Sequence, residues 1–536
     1  MLVISCLLRG NEHMGTYLNP GNSGFADIMA GKYIDKTGLI SVLNSMISTP
    51  QKLICISRPR RFGKSYAAQM LCAYYDRTAA DSAELFQKCK ISSMPGFGDY
   101  LNRYNVIYLD MAGIKSSCDD FRTLSTFLKE RITAELCSLD ERISKTPDFL
   151  TTLVRAVDVL ETKFIMIIDE WDAPVRENPA CADEYLTLLR SLFKNSGVTA
   201  KLFAAVYMTG ILPVKKVRMQ SALSDFEEYT MLSPGPFAEY TGFTEEEVKA
   251  LCVEYDVDFE EMKRWYDGYE LRKAGAVYNP NSVMKAIRND AFDSYWSQSS
   301  AADDLLEYIR WDVDGLRQAV IELMGGVKIE IDTTGYNNDL TYTTRDAALT
   351  MLAHLGYLAF DQEKKAVRIP NEEIRLEFAR ALRQTDNPET MKRVRESIQL
   401  IMDTIHGEEE RVAGQIRSVH MDTSNPLNRN NENSLRAAIQ VAYFAYKDYF
   451  IKCEELPAGK GYADVVYIPK KGADIPALVV ELKWNENADG ALRQIRDKEY
   501  VNTIEGFGGD VLLVGISYEK GTDEYRCRIE KWDLQV

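Results

Sequence analysis

The stretch from Lys52 to Tyr75, KLICISRPRRFGKSYAAQMLCAYY, constrains the fold more than any other part of this 536-residue chain. Leu53 to Ile56 is an apolar run that reads as a buried strand. A polar turn follows, Ser57-Arg58-Pro59-Arg60-Arg61-Phe62, and Gly63-Lys64-Ser65 then opens a helix-compatible segment. A strand, a loop, Gly-Lys-Ser and a helix together cradle phosphate. Loop amides and the helix N-terminus face the anion, the lysine reaches the outer phosphates, and the serine hydroxyl goes to Mg2+. One position departs from the pattern: its first glycine belongs five residues before Gly63, where Arg58 stands. Gly-Lys-Ser alone is a common tripeptide.

A second stretch narrows the reading. Phe164 to Ile168 is an apolar strand ending in Asp169-Glu170-Trp171-Asp172. In a P-loop ATPase the aspartate at that strand's end holds Mg2+ through water, and the next glutamate orients the attacking water. A buried strand running into an acidic turn is ordinary by itself; paired with the Gly-Lys-Ser segment it favours an ATP site. Val106 to Asp110 and Leu202 to Met208 are further strands, the latter ending in Thr209-Gly210. Phe121 to Leu139, Phe149 to Leu160 and Asp183 to Lys194 read as helices. Alternating strands and helices predict an α/β domain on a parallel sheet, with ligands beyond the carboxyl ends of the strands. Lys64, Asp110, Asp169 and Thr209 all fall there.

The length predicts two to four domains. A hydrophobic share of 46% and a charged share of 27% fit a globular protein. No apolar run approaches the roughly 20 residues of a membrane span, so no membrane partner is expected. The opening MLVISCLLRGNEH lacks a basic n-region and predicts no signal peptide; Met14 is an alternative start. Ten cysteines are scattered singly without a CxxC, beside four histidines. That predicts reduced thiols, a cytoplasmic location and no structural zinc. The net charge is −16, and residues 391–536 carry 20 Lys and Arg against 24 Asp and Glu. Composition therefore gives no support for a nucleic-acid-binding face.

From Gly242 the texture changes. Thr244-Glu245-Glu246-Glu247 opens a helix with a capping threonine and an acidic first turn. WYDGY (265–269) and VYNP (277–280) follow. Helices dominate from Ser282 to about Gln384, with one hairpin expected between Gly356 and Ile369. This reads as a helical, winged-helix-like lid or connector. The expected divisions are 14–242, 243–388 and 389–536.

The last region holds a second constellation. A helix from Asn431 to Tyr449 precedes three apolar strands: Gly459 to Ile468, Ala477 to Trp484 and Val511 to Ile516. Glu481 and Lys483 share a face because side chains alternate along a strand. The hairpin brings Asp464 within reach of them. Two carboxylates suit a hard divalent cation, and a lysine beside it can position or activate water. Such a trio suits phosphodiester hydrolysis; a solvated strand edge is the plain alternative.

Together these residues resemble a prokaryotic family that couples an AAA-like P-loop ATPase to a C-terminal PD-(D/E)XK-superfamily nuclease domain. The resemblance rests on YIDKTGLI (33–40), SRPRRFGKS (57–65), VIYLD (106–110), MIIDEWDAP (166–174) and YMTGI (207–211). It continues through GFTEEEV (242–248), WYDGY, VYNPNSV (277–283), GYADVVYIP (461–469) and ELKWN (481–485). Arg58 matches that family's loop.

The resemblance implies an α/β fold with an AAA-like P-loop NTPase domain, a helical or winged-helix-like middle, and an α/β restriction-endonuclease-like domain. It implies ATP with Mg2+ or Mn2+, DNA as partner with RNA still open, and self-association through the ATPase domain. Gly63, Lys64 and Ser65 would bind phosphate, with Ser65 and Asp169 toward Mg2+, Glu170 as the water-orienting base and Thr209 as a sensor-type polar residue. Asp464 and Glu481 would hold the nuclease metal and Lys483 would be the catalytic lysine. Glu432, Gln494 and Tyr500 match its auxiliary positions. Apart from the resemblance, Arg60 and Arg61 beside the loop are expected to contact nucleotide phosphates or reach across a subunit interface, as against solvating the loop or pairing with local carboxylates. Defence against foreign DNA and mobile-element biology fit such machinery. The competing expectation is a nucleotide-dependent switch or assembly protein whose nuclease-like domain binds without cutting.

Overall fold

The computed structural model describes residues 15–79, 82–114, 123–177, 182–214, 223, 225–296, 313–333, 344–383, 388–423, 432–448, 450–458, 461–469, 475–485, 487–497, 510–520 and 522–532. The chain forms two compact units. Met1–Gln298 and Ile331–Ile374 make the first; Ser299–Glu330 and Arg375–Val536 make the second.

The first unit is built on β1 (Leu53–Ser57), β2 (Asn105–Asp110), β3 (Phe164–Asp169), β4 (Phe203–Gly210) and β5 (Glu227–Tyr229). Their order is β2-β3-β4-β1-β5, and every pairing is parallel. β1, β3 and β4 are buried along their whole length, which explains their unbroken apolar sequences: both faces of a parallel sheet are covered. Alternate residues divide between two cores. Leu53, Cys55, Met166, Ile168 and Met208 enter one; Ile54, Ile56, Ile165, Ile167 and Tyr207 enter the other. Helices Leu124–Leu139, Phe149–Leu160 and Ala182–Phe193 lie where the sequence predicts them.

Later strands are β6 (Phe243–Thr244), β7 (Tyr269–Leu271), β8 (Gly275–Tyr278), β9 (Ile329–Glu330), β10 (Ala359–Asp361) and β11 (Ala366–Arg368). β6, β8 and β7 form an antiparallel sheet that helical expectation alone did not suggest. β10 and β11 make the hairpin expected between Gly356 and Ile369. Thr244 caps helix Glu245–Tyr255: its hydroxyl accepts from Glu247 N at 3.4 Å, and the Glu247 carboxylate accepts from Thr244 N at 2.9 Å. Such a box contributes about 1 kcal/mol. Residues 243–296 and 331–374 thus pack in the first unit, and 313–330 in the second.

The second unit carries β12 (Phe450–Ala458), β13 (Gly461–Pro469), β14 (Ala477–Trp484), β15 (Val511–Glu519) and β16 (Glu524–Trp532), side by side in chain order. Only β14 and β15 run parallel; the other neighbours are antiparallel. Val480, Leu482, Val514 and Ile516 face one core with helices Pro388–Ile405, Glu409–Thr423 and Glu432–Ala442. Ala477, Val479, Val511 and Leu513 face another with helix Ala488–Asp497.

Candidate functional site

The turn after β1 folds around its own lysine. Lys64 is buried, and its Nζ donates to the carbonyl oxygens of Arg58 at 3.0 Å and Pro59 at 2.8 Å. The chain turns back at Arg61 (φ +68°) and Gly63 (φ +83°), both left-handed, before helix Lys64–Tyr75 begins. Arg58 is not among the left-handed residues, so its position does not require glycine. The arginine that departs from the standard motif therefore costs no backbone strain. Two bonds to carbonyls leave Lys64 one further proton to donate.

Opposite the loop stand the ends of β3 and β4. Thr209 Oγ1 donates to Asp169 Oδ1 and accepts from Glu170 N at 3.2 Å, so one hydroxyl ties both acidic residues. Ser65 follows Lys64 in the first turn of the helix and is exposed. Because β4 lies between β1 and β3, Thr209 sits between the loop and the acidic turn. Asp110 ends β2 in register with Asp169.

Burial raises the Asp169 and Glu170 carboxyls above their ordinary range; the Ser65 and Thr209 hydroxyls moderate the first, and the Lys64 charge moderates the second. Burial likewise lowers Lys64, against the attraction of Glu170, Asp169 and Asp172. Glu170 is itself left-handed (φ +52°), a conformation concentrated at functional turns.

Two residues not singled out from the sequence complete this turn. Asp172 is fully buried and accepts from Ile211 N at 3.2 Å, Leu212 N at 2.9 Å and Arg176 Nε at 3.0 Å. Arg176 Nη2 also lies 3.8 Å from the Glu170 carboxylate. The i,i+4 spacing of Asp172 and Arg176 was the available signal. Of the two loop arginines, Arg61 donates to the Tyr295 carbonyl at 3.0 Å and Arg60 is half-buried. Beside Gly63 an apolar hollow is lined by Tyr33, Phe62, Tyr66, Met70, Tyr240 and Phe243.

In the second unit Glu481 is buried on β14, opposite Gly515 of β15. A Cβ on Gly515 would come within 2.6 Å of the Ala488 carbonyl, so glycine lets helix Ala488–Asp497 lie close over this face. Gln494 on that helix then joins the pair: Lys483 Nζ donates to its Oε1, and its Nε2 donates to Glu481 Oε1. The β13–β14 register reaches Val465 opposite Val480, which puts Asp464 and Glu481 next along each strand. Asp464 lies on β13, with its side chain outside the described residues. Glu432 is exposed and opens a helix whose apolar residues pack on the opposite face of the sheet. Tyr500 lies outside the described residues. Among the described residues, no group of three or more His, Cys, Asp or Glu could hold a metal, and no helix is long and apolar enough to cross a membrane.

Residues 21–220 match the model of a family described as Predicted AAA-ATPase. The match spans the loop, the acidic turn and Thr209. No curated protein matches the chain. Among solved structures, the Aeropyrum pernix ORC2 protein in its ADPNP–ADP complexes shares 13% identity, with 66% of this chain and 96% of that chain covered and a TM-score of 0.32. Cdc6p from Pyrobaculum aerophilum shares 10% identity over 67% of this chain and 98% of its own, with a TM-score of 0.24. The Aeropyrum pernix ORC1 protein in complex with DNA shares 11% over 96% and 93%, with a TM-score of 0.25. These overlaps are shallow, and the α/β assignment rests on the parallel sheet itself.

Proposed function

We propose that the first unit binds and hydrolyses ATP with Mg2+, and that this activity controls a metal-dependent nuclease of PD-(D/E)XK type in the second. The observation that carries the ATPase reading is the convergence of Lys64, Asp169, Glu170 and Thr209 at the carboxyl ends of β1, β3 and β4. Lys64, fixed by two carbonyls, presents its remaining proton to the β- and γ-phosphates, and the amides around Gly63 receive them at the helix N-terminus. Ser65 and the buried Asp169 offer hard oxygen donors of the kind Mg2+ takes alongside phosphate and water. A Mg2+ held by Ser65 and Asp169 would neutralise phosphate charge. Glu170, held in place by Thr209, accepts a proton from the attacking water. Thr209 senses whether the γ-phosphate is present, and Arg60 and Arg61 contact the phosphates or a neighbouring copy. The apolar hollow beside Gly63 receives the base. ATP turnover by wild type, lost in Lys64→Ala and Glu170→Gln, is the expected result; turnover unaffected by either change contradicts the reading.

The nuclease reading rests on the Glu481–Gln494–Lys483 chain beside the strand that carries Asp464. Asp464 and Glu481 would hold Mg2+ or Mn2+, which stabilises charge on the scissile phosphate, while Lys483 positions the attacking water. Glu432 and Tyr500 belong to this proposal as auxiliary residues. DNA is the proposed substrate, with RNA the alternative to exclude by assay, in defence or mobile-element biology. In the second reading the same domain binds nucleic acid or a partner without cutting. The acidic balance favours it: residues 391–536 carry more carboxylates than cations.

A further inference from the structure

We infer that Arg58 is a positioning residue for nucleotide binding, mooring the phosphate loop from below through its buried guanidinium. The inference rests on the ATP-site reading and goes beyond it, since neither the Gly-Lys-Ser motif nor its chemistry calls for an arginine there.

Arg58 is 0% exposed. Its Nε donates to Thr241 Oγ1 at 3.0 Å, and its Nη1 donates to the carbonyls of Ser57 at 2.9 Å and Tyr229 at 3.0 Å. These partners belong to the end of β1, the edge strand β5 and the segment just before β6. All are neutral oxygens; among the described residues no carboxylate pairs with this cation, and Nη2 is buried with no hydrogen-bond partner among them. Burial pushes the guanidinium down to about 10, still charged at neutral pH. A buried cation without a counter-ion is costly, and ordinary packing would be served as well by an apolar side chain.

The backbone of the same residue supplies the reason to keep it. The Arg58 carbonyl is one of the two oxygens that fix Lys64. The far end of the loop is held against the same segment, where Gly242 N donates to the Phe62 carbonyl at 2.9 Å. Both ends of the loop are thus fastened to Thr241–Gly242, one by the Arg58 side chain and the other by a main-chain bond. A glycine at position 58 would remove the first fastening and free the carbonyl that orients Lys64. Arg58 acts through Lys64 and touches no substrate, so its loss falls on nucleotide affinity and KM more than on kcat.

The test uses the full chain and a fluorescent ATP analogue with Mg2+. Arg58→Gly restores the standard motif glycine, and Thr241→Val removes one acceptor without touching the loop. The expected result is an analogue Kd raised at least tenfold by Arg58→Gly and about threefold by Thr241→Val, with the ATPase KM rising in step and kcat within about twofold of wild type. Arg58→Lys, which keeps charge and one donor, should recover part of the loss. Should Arg58→Gly fail to fold, Thr241→Val decides the matter. Unchanged Kd and KM in the folded variants, even with a lowered Tm, would overturn the mooring role and leave Arg58 as core filling. No analogue binding by wild type would overturn the ATP-site reading first, and the mooring with it.

Discussion

Lys64 Nζ lies 2.8 Å from the carbonyl oxygen of Pro59, so the lysine that would meet phosphate also holds its own loop closed. Lys64→Ala removes both functions. Charge-assisted hydrogen bonds are worth about 1.5–3 kcal/mol each, so ATP affinity should fall about 100-fold. The carbonyls of Arg58 and Pro59 lose a donor, and stability should fall by about 1–3 kcal/mol. Calorimetric titration with ATP and thermal melting of the nucleotide-free protein check the two effects separately.

Glu170 offers the opposite balance. Burial raises its carboxyl, so the folded state disfavours the charged form. A raised carboxyl contributes stability fully present below its unfolded pKa and lost as pH rises through the folded value. Neutralising it should therefore help at pH 7. Glu170→Gln is expected to raise the melting temperature of the nucleotide-free protein slightly while lowering ATP turnover by about 100- to 1,000-fold and leaving ATP binding intact. For wild type, turnover should decline on acidification at a higher pH than for an ordinary glutamate. A fall in Tm on substitution would contradict the assigned cost.

Gln494 joins Glu481 to Lys483, and its substitution should uncouple them. If the second unit cuts DNA, Gln494→Leu should slow cleavage about 10- to 100-fold with little loss of DNA affinity, the usual scale for a residue that orients a metal ligand. Cleavage at the wild-type rate would show that the bridge has no part in the chemistry.

Thiol reactivity tests the packing. Burial raises the thiols of Cys55, Cys72, Cys252 and Cys527, and pushes Cys89 up to about 11. At pH 8 these five should resist iodoacetamide in the native protein and react on denaturation, as peptide mapping would show. Rapid native labelling of Cys55 or Cys72 would contradict the closed core beneath the phosphate loop.

The sequence made some features legible because their physics is local. β1, β3 and β4 are continuous apolar runs since both faces are buried, and the Thr244 capping box is written in four consecutive residues. The shared face of Glu481 and Lys483 follows from strand alternation alone. Other features depend on partners distant in the chain. β16 alternates charges along a mostly exposed edge and has little apolar signal, and β5 is three residues long. Arg58 reads from the sequence only as a departure from the motif glycine, because its partners Tyr229 and Thr241 lie far along the chain. Asp172 sits beside the acidic pair in sequence, yet its partners are the amides of Ile211 and Leu212, supplied by the turn after β4.

The most direct measurement is cleavage of plasmid and linear DNA with Mg2+ or Mn2+, with and without ATP, by wild type, Lys64→Ala and Glu481→Ala. Nucleotide-controlled cutting predicts cleavage by wild type that is abolished in Glu481→Ala and altered in its ATP response by Lys64→Ala. No cleavage by wild type in any condition, with ATP turnover intact and dependent on Lys64, would contradict it and leave a nucleotide-dependent switch.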